Sequence, residues 1–358
     1  MGAVMSRHRQ HTYRQAGVDL EAAEALVRLI GPLVRRTYGP QVMRSHGAFA
    51  GLFRLNHESG LLAGPPADPV LVASTDGVGS KVLIAAAAGR YDTVGIDLVA
   101  MSVNDVLTCA ARPLFFLDYV AVPRLDPRQV AELVGGVAEG CRQAGCALLG
   151  GETAEMPDLY RRGHFDLAGF AVGLAERNRL PDPRRLRPGQ TIIGLASSGL
   201  HSNGYSLVRR IVRQAGLRLD RPPAGFQKPL ADVLLEPTRI YVAPVLKALG
   251  HYRRRPPVTA LAHITGGGLP GNLPRVLPRD CDAVIDRGSW PIPPIFGLIE
   301  HHGVAEEEMY RVFNMGIGFV LVCRPRSTGV MMRLLERAGA QPYVIGRIRR
   351  GRGRVEIR

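Results

Sequence analysis

Three acids in separate stretches, Asp76, Asp105 and Glu152, are the side chains of this 358-residue chain best suited to hold a hard cation. Such oxygen ligands suit Mg²⁺, which keeps several waters and binds through a few carboxylates together with phosphate oxygens. Asp76 lies in Thr75-Asp76-Gly77-Val78-Gly79-Ser80-Lys81, where a hydroxyl, a carboxylate, two glycines and a lysine follow an apolar run. Lys81 can offset phosphate charge there. The run is not a P-loop, because it lacks the four-residue gap between glycines and the Gly-Lys-Ser/Thr order; nor does it hold a Gly-x-Gly-x-x-Gly fingerprint. Gly150-Gly151-Glu152-Thr153 repeats the plan of glycines, acid and hydroxyl after a short apolar run. Asp97, Asn104, Asp105 and Thr108 share one helix face, which is either solvated or turned toward a metal–phosphate site.

A second group of polar residues lies further on. The stretch from Ser197 to Ser206, with Ser198, His201 and Asn203, sets hydroxyl, amide and imidazole groups where a strand meets a helix, a ready place for an anion. Thr265-Gly266-Gly267-Gly268 follows another apolar strand and forms either a tight turn or a backbone nest for phosphate. The small residues around Phe49 in Gly47-Ala48-Phe49-Ala50-Gly51 allow close approach to a ligand, or are an ordinary connection. Residue chemistry alone thus points to an enzyme using ATP and Mg²⁺, with a second domain that binds phosphate.

The elements that must position these groups follow from periodicity and punctuation. Asp19 can cap a helix to Arg36, with Leu26, Leu29, Ile30, Leu33 and Val34 on one face. Gly64-Pro65-Pro66 turns into a strand from Val70, and a helical run covers Val82 to Ala88. Asp92 can cap a helix to Ala111, which Arg112-Pro113 breaks. A β-like run from Leu114 to Val122 follows, then a helix from Asp126-Pro127 stopped at Gly145. Short strands are expected at Cys146–Leu149, Phe165–Leu174, Thr191–Ala196, Phe313–Val320 and Tyr343–Ile348, with a helix over Thr328–Ala338. The polar, Pro- and Arg-rich stretch from Ala175 to Gly189 reads as a domain boundary. Arg347 to Arg358, broken by Gly351 and Gly353, reads as a surface hairpin.

Bulk composition narrows the function class. The formal charge is +15, yet the chain has only three lysines, Lys81, Lys228 and Lys247, and its arginines are dispersed. That pattern does not favour nucleic-acid binding as the main role, although a positive surface helps to attract phosphorylated substrates. No apolar run reaches the roughly 20 residues a membrane span needs. Five widely spaced cysteines without a ligand pattern read as reduced, buried thiols of a cytoplasmic protein.

A series of motifs, in order, resembles the phosphoribosylformylglycinamidine cyclo-ligase (aminoimidazole ribonucleotide synthetase) family. It runs from Tyr13-Arg14-Gln15-Ala16-Gly17-Val18-Asp19 through Thr75–Lys81, Gly95–Asp105, Phe115-Phe116-Leu117-Asp118-Tyr119, Gly150–Pro157 and Ser197–Ser206. It continues through Pro237–Tyr241, Thr265–Gly268 and Glu308–Asn314. The resemblance implies an α/β (α+β type) fold of two domains. Residues 1–176 would carry ATP binding and a mixed sheet that joins a dimer mate's sheet into a barrel. Residues 177–358 would form a sandwich-like α/β substrate domain. The implied reaction closes the imidazole ring of formylglycinamidine ribonucleotide, with ATP and Mg²⁺, in a homodimer that binds neither nucleic acid nor membrane.

Roles carried over with the resemblance are these. Asp76, Asp105 and Glu152 hold metal; these three with Lys81, His201 and Asn203 form the catalytic set. ATP is met by Gly47, Phe49, Gly51, Thr75, Asp76, Gly77, Gly79, Ser80, Lys81, Asp97, Asn104, Asp105, Gly151, Glu152 and Thr153. Substrate phosphate is met by Ser198, His201, Thr265, Gly266, Gly267 and Gly268. Ala48, Ala50 and Gly271 depart from the family's usual residues. Relatives on the same scaffold, selenophosphate synthetase and thiamine-phosphate kinase among them, are the alternative enzymes. An arginine-rich nucleic-acid-binding protein is the alternative from another class.

Overall fold

The computed structural model describes residues 20–43, 52–55, 68–252 and 255–358. The Tyr13–Asp19 motif, the Asp19 cap, Gly47, Phe49, Gly51 and the Gly64–Pro66 turn lie outside the described residues.

In the first half, α1 (Leu20–Arg35) leads to a short antiparallel pair, β1 (Val42–Met43) with β2 (Leu52–Phe53). Then come β3 (Pro69–Gly77), α2 (Val82–Ala88), α3 (Val94–Leu107), β4 (Arg112–Val122), α4 (Pro127–Ala144), β5 (Ala147–Glu155) and β6 (Asp166–Glu176). The sheet order is β3-β6-β4-β5. β6 runs antiparallel to both its neighbours, and β4 and β5 are parallel. The strand expected at Cys146–Leu149 is longer than read. β5 continues through Gly150, Gly151 and Glu152, paired with β4 as far as Glu155, so these residues stand within a strand and not in a loop beyond it.

This sheet has one covered and one open face. Alternation along β3 and β6 sends Val70, Val72, Leu167 and Ala171 toward the helices and Leu71 and Phe170 outward. Leu71 is 63% exposed, Phe170 40% and Tyr119 38%. On the covered face α3 packs on the sheet and α4 packs on α3. The helices cross with backbones touching: a Cβ on Gly95 would meet the Leu133 carbonyl, and one on Gly136 would meet the Asp92 carbonyl. α4 begins as expected, with the Asp126 carboxylate accepting from the amides of Arg128 and Gln129. In α1 only Leu26 is fully buried; Leu29 is half exposed.

The second half contributes β7 (Thr191–Ala196), α5 (Tyr205–Gln214), α6 (Leu230–Leu234), α7 (Val242–Gly250), β8 (Val258–His263), α8 (Gly268–Asn272), β9 (Cys281–Ile285), α9 (Pro294–His301), α10 (Glu306–Val312), β10 (Ile317–Cys323), α11 (Thr328–Arg337), β11 (Pro342–Arg350) and β12 (Val355–Ile357). Six strands form one sheet in the order β12-β9-β11-β7-β10-β8. Every position of β8 and β10 is buried; β10 is a continuous apolar run, and in β8 the buried Thr259 hydroxyl is paired with the Gln190 side chain at 2.8 Å. The expected hairpin at the C-terminal end does not form. β12 passes to the far side of β9 and pairs with it in parallel. Asp282 holds the turn across β9, its Oδ1 accepting from the amides of Arg352 (2.7 Å) and Arg354 (2.8 Å).

Candidate active site

The two sheets meet where the end of β3, the last turn of α3 and the end of β8 come together. Asp76, near the end of β3, faces the helix layer; its Oδ1 accepts from the Gly77 amide at 2.7 Å. Asp105, on α3, has one oxygen 2.9 Å from the His263 Nδ1 and the other 3.4 Å from the Ser74 hydroxyl. Burial pushes the Asp76 carboxyl above its ordinary range; the charge of Asp105 adds to the rise, while the Gly77 amide and His263 oppose it. Two close, partly desolvated carboxylates that repel each other are a chemical fit for a divalent cation, which would relieve that repulsion. His263 was not singled out in the sequence. The signal for it was its place as the last residue of β8, directly ahead of Ile264 and the glycine turn.

Glu152 does not join this pair within one chain. β3 and β5 are opposite edges of the sheet, three inter-strand spacings or roughly 14 Å apart. Glu152 is also the register partner of Tyr119, which faces outward, so its exposed side chain lies on the open face. Among the described residues no three His, Cys, Asp or Glu side chains gather closely enough to hold a metal ion. Gly151 and Thr153 share β5 with Glu152 and are likewise distant from Asp76. Gly151 has its own reason to be glycine: a Cβ would strike the Asp118 carboxylate. Thr75 is turned to the open face, where its hydroxyl donates to the Gly169 carbonyl at 2.8 Å.

Three expected nucleotide contacts are occupied by protein instead. Lys81 ends a single helical turn over Gly79–Lys81 and is completely buried. Its Nζ pairs with Asp97 Oδ2 at 2.7 Å and donates to the carbonyls of Glu236 (2.8 Å) and His201 (3.1 Å). With the Asp97 carboxylate and two carbonyls against a wholly buried ammonium, Lys81 in this arrangement is turned to protein and not to a phosphate. Asp97 Oδ1 accepts from the Thr238 amide (2.7 Å) and hydroxyl (2.5 Å). Asn104 donates to the Arg239 carbonyl and accepts from the Tyr241 amide, each at 2.9 Å. The shared face of α3 is therefore neither solvated nor wholly a ligand face. Asp97 and Asn104 hold residues 238–241 of the second half, and only Asp105 opens to the junction, with a side chain 42% exposed.

The second polar group is assembled, but not around its histidine. His201 is buried, with φ at +60°, a backbone region uncommon for residues other than glycine. Its Nε2 accepts from the amides of Ser198 (3.2 Å) and Arg239 (3.5 Å), and its Nδ1 has no partner. Burial, reinforced by His263, Lys81 and Arg239, pushes the ring well below its ordinary pKa, so it is neutral. A buried neutral imidazole is a poor candidate to meet substrate directly. Ser198 is also committed, its hydroxyl donating to the Pro237 carbonyl at 2.5 Å. Asn203, in contrast, is partly exposed and lies against Gly266. Ser80 and Ser206 hydroxyls stand 3.2 Å apart, joining the Gly79 turn to the start of α5.

The Thr265–Gly268 turn is held from behind. Asn272 Nδ2 donates to the carbonyls of Gly268 (2.8 Å), Gly266 (3.2 Å) and Thr265 (3.3 Å). Gly268 must be glycine, since its φ is +58° and a Cβ would meet the Tyr310 and Phe313 carbonyls. The turn thus presents its Gly266 side toward Asn203.

The family model described as AIR synthase related protein, N-terminal domain, matches residues 58–175; its C-terminal counterpart matches residues 187–358. The chain is 54% identical over 347 residues to the phosphoribosylformylglycinamidine cyclo-ligase of Myxococcus xanthus, covering 96% of this chain and 97% of that one. It is 47% identical over 345 residues to the protein of that name from Bacillus cytotoxicus, covering 96% of each. Among solved structures, thiamine-monophosphate kinase from Stenotrophomonas maltophilia shares the fold with a TM-score of 0.65 at 18% identity, over 92% of this chain and 95% of that one. The hydrogenase maturation protein HypE in complex with ATP gives 0.58 at 18% identity, over 92% and 90%.

Proposed function

Because the chain belongs to the phosphoribosylformylglycinamidine cyclo-ligase family, we propose that it closes the imidazole ring of formylglycinamidine ribonucleotide at the expense of ATP. The observation that carries the reading is the Asp76–Asp105–His263 group at the junction of the two sheets, in a chain alike to those ligases over nearly its full length. The division into functional halves falls at residues 176 and 177, between the two sheets. The reaction belongs to the cytoplasm.

The chemistry asks for activation of a poor leaving group. The formyl oxygen attacks the γ-phosphorus and ADP leaves. The neighbouring amidine nitrogen then attacks the activated carbon, phosphate departs with the formyl oxygen, and the ring nitrogen gives up a proton. The protein's share is to hold two substrates in line and offset developing charge. Asp76 and Asp105 would hold Mg²⁺, which when bound neutralises charge on the transferring phosphoryl group. His263 fixes the Asp105 carboxylate in orientation. The turn at Gly77–Ser80 lies against the triphosphate, and Asn203 with the Gly266 side of the glycine turn receives the ribonucleotide.

Glu152 enters this scheme only from another subunit, because it stands on the open face at the far edge of the sheet. A homodimer whose N-terminal sheets join through their open faces supports that arrangement. It would cover Leu71, Phe170 and Tyr119 and bring each Glu152 toward a neighbouring subunit. The test is a coupled assay. ADP release should depend on both formylglycinamidine ribonucleotide and Mg²⁺, with an aminoimidazole product, and chelation with EDTA should abolish it. ADP release that ignores the ribonucleotide would refute the reading.

A further inference from the structure

We infer that Lys81 is a positioning residue, which ties the ATP-side turn to the ribonucleotide-side loop and makes no contact with nucleotide. The inference rests on the cyclo-ligase reading for its kinetic test, but its geometry stands independently. The Lys81 ammonium joins three separate segments: Asp97 on α3, the His201 carbonyl and the Glu236 carbonyl. Those segments close on one another. The His201 ring accepts from the Arg239 amide, and Asn104, two turns along α3 from Asp97, grips the Arg239 carbonyl. The result is a polar ring running from Lys81 to His201, Arg239, Asn104 and Asp97 and back to Lys81.

Three features give the ring a purpose beyond cohesion. First, Lys81 directly follows Gly79 and Ser80, so its anchorage fixes the turn at the end of β3. Second, the carbonyl it holds belongs to His201, whose positive φ must be stabilised by its surroundings. That loop leads within two residues to Asn203, beside Gly266. Third, the pair lies wholly in protein, where replacing a charge pair by apolar groups is often neutral for stability. A buried ion pair kept at this junction is then better explained by the geometry it imposes than by net stabilisation.

Lys81→Met alone would strand the Asp97 charge and destabilise the fold, so the informative variant is Lys81→Met with Asp97→Asn. Asparagine keeps an acceptor for Thr238 and removes the charge. The wild-type coupled assay comes first; if it shows no ribonucleotide-dependent ADP release, the function reading fails and not this inference. With an active wild type, the double variant should fold and keep its KM for ATP within about twofold, while kcat/KM for the ribonucleotide falls on the order of 100-fold. Independently of activity, hydrogen exchange in peptides covering 198–204 and 236–241 should quicken at least about tenfold. Wild-type kinetics with unchanged exchange would overturn the inference. So would a loss confined to the KM for ATP, since that is the signature of a lost phosphate contact.

Discussion

The two sheets of this protein solve burial differently. In the C-terminal sheet β8 and β10 are covered on both faces and spend no position on solvent. In the N-terminal sheet the strands alternate, with one face under α3 and the other bare from Leu71 across Phe170 to Tyr119. The first sheet is finished within one chain. The second leaves an apolar face of the kind that marks a contact surface. The difference teaches where each kind of residue is free to work: acids can stand at the ends and edges of the unfinished sheet, while the finished one supplies a rigid wall.

The sharpest break of that contrast is a charge placed in the closed sheet. Phe319→Asp, on β10, should cost at least about 4–5 kcal/mol and leave no soluble folded protein, read by circular dichroism. Next comes the site between the sheets. Asp76→Asn should lower turnover by at least about 10³-fold, or roughly 4 kcal/mol, without lowering the melting temperature, since it also removes a charge that burial and Asp105 disfavour. Retained turnover would remove Asp76 from the chemistry.

A third, intermediate effect concerns Asp118, half-buried beneath the open-faced sheet against Gly151. Desolvation pushes its carboxyl up to about 7, with its own backbone amide opposing. The folded state then binds more protons than the unfolded state between about pH 4 and 7, so stability declines as pH rises through that window. Asp118→Asn should flatten the decline and gain stability at pH 8 that disappears by pH 4. The gain is at most about 4 kcal/mol, read from melting temperatures across pH. The smallest effect on the fold itself belongs to the bare face. Phe170→Asp should change monomer stability by less than about 1 kcal/mol while halving the mass of the proposed dimer in light scattering. If it unfolded the chain, the contrast between the sheets would fall.

Much of this architecture was legible because it is written in local chemistry. The Asp126-Pro127 start of α4, the β7 span of Thr191–Ala196 and the α11 start at Thr328 follow from caps and periodicity. The site was legible in part. Asp76 and Asp105 meet as their types suggested, and Asn203 meets Gly266. What sequence could not supply was sheet order. Asp76 and Glu152 stand in like sequence contexts, yet strand order sends them to opposite edges. Burial was equally hidden: a lysine after two glycines reads as a phosphate ligand until Asp97 and two carbonyls are found around it. His263 was passed over because its partner, Asp105, lies 158 residues away.

α3 has a last consequence. It is buried nearly all round, against β3 and β6 on one side, α4 on another, and residues 238–241 and β8 on a third. A helix that is core to both halves makes them a single cooperative unit. Heating should therefore give one calorimetric transition, and a chain cut between residues 176 and 177 should regain a native-like melt only when both pieces are present together.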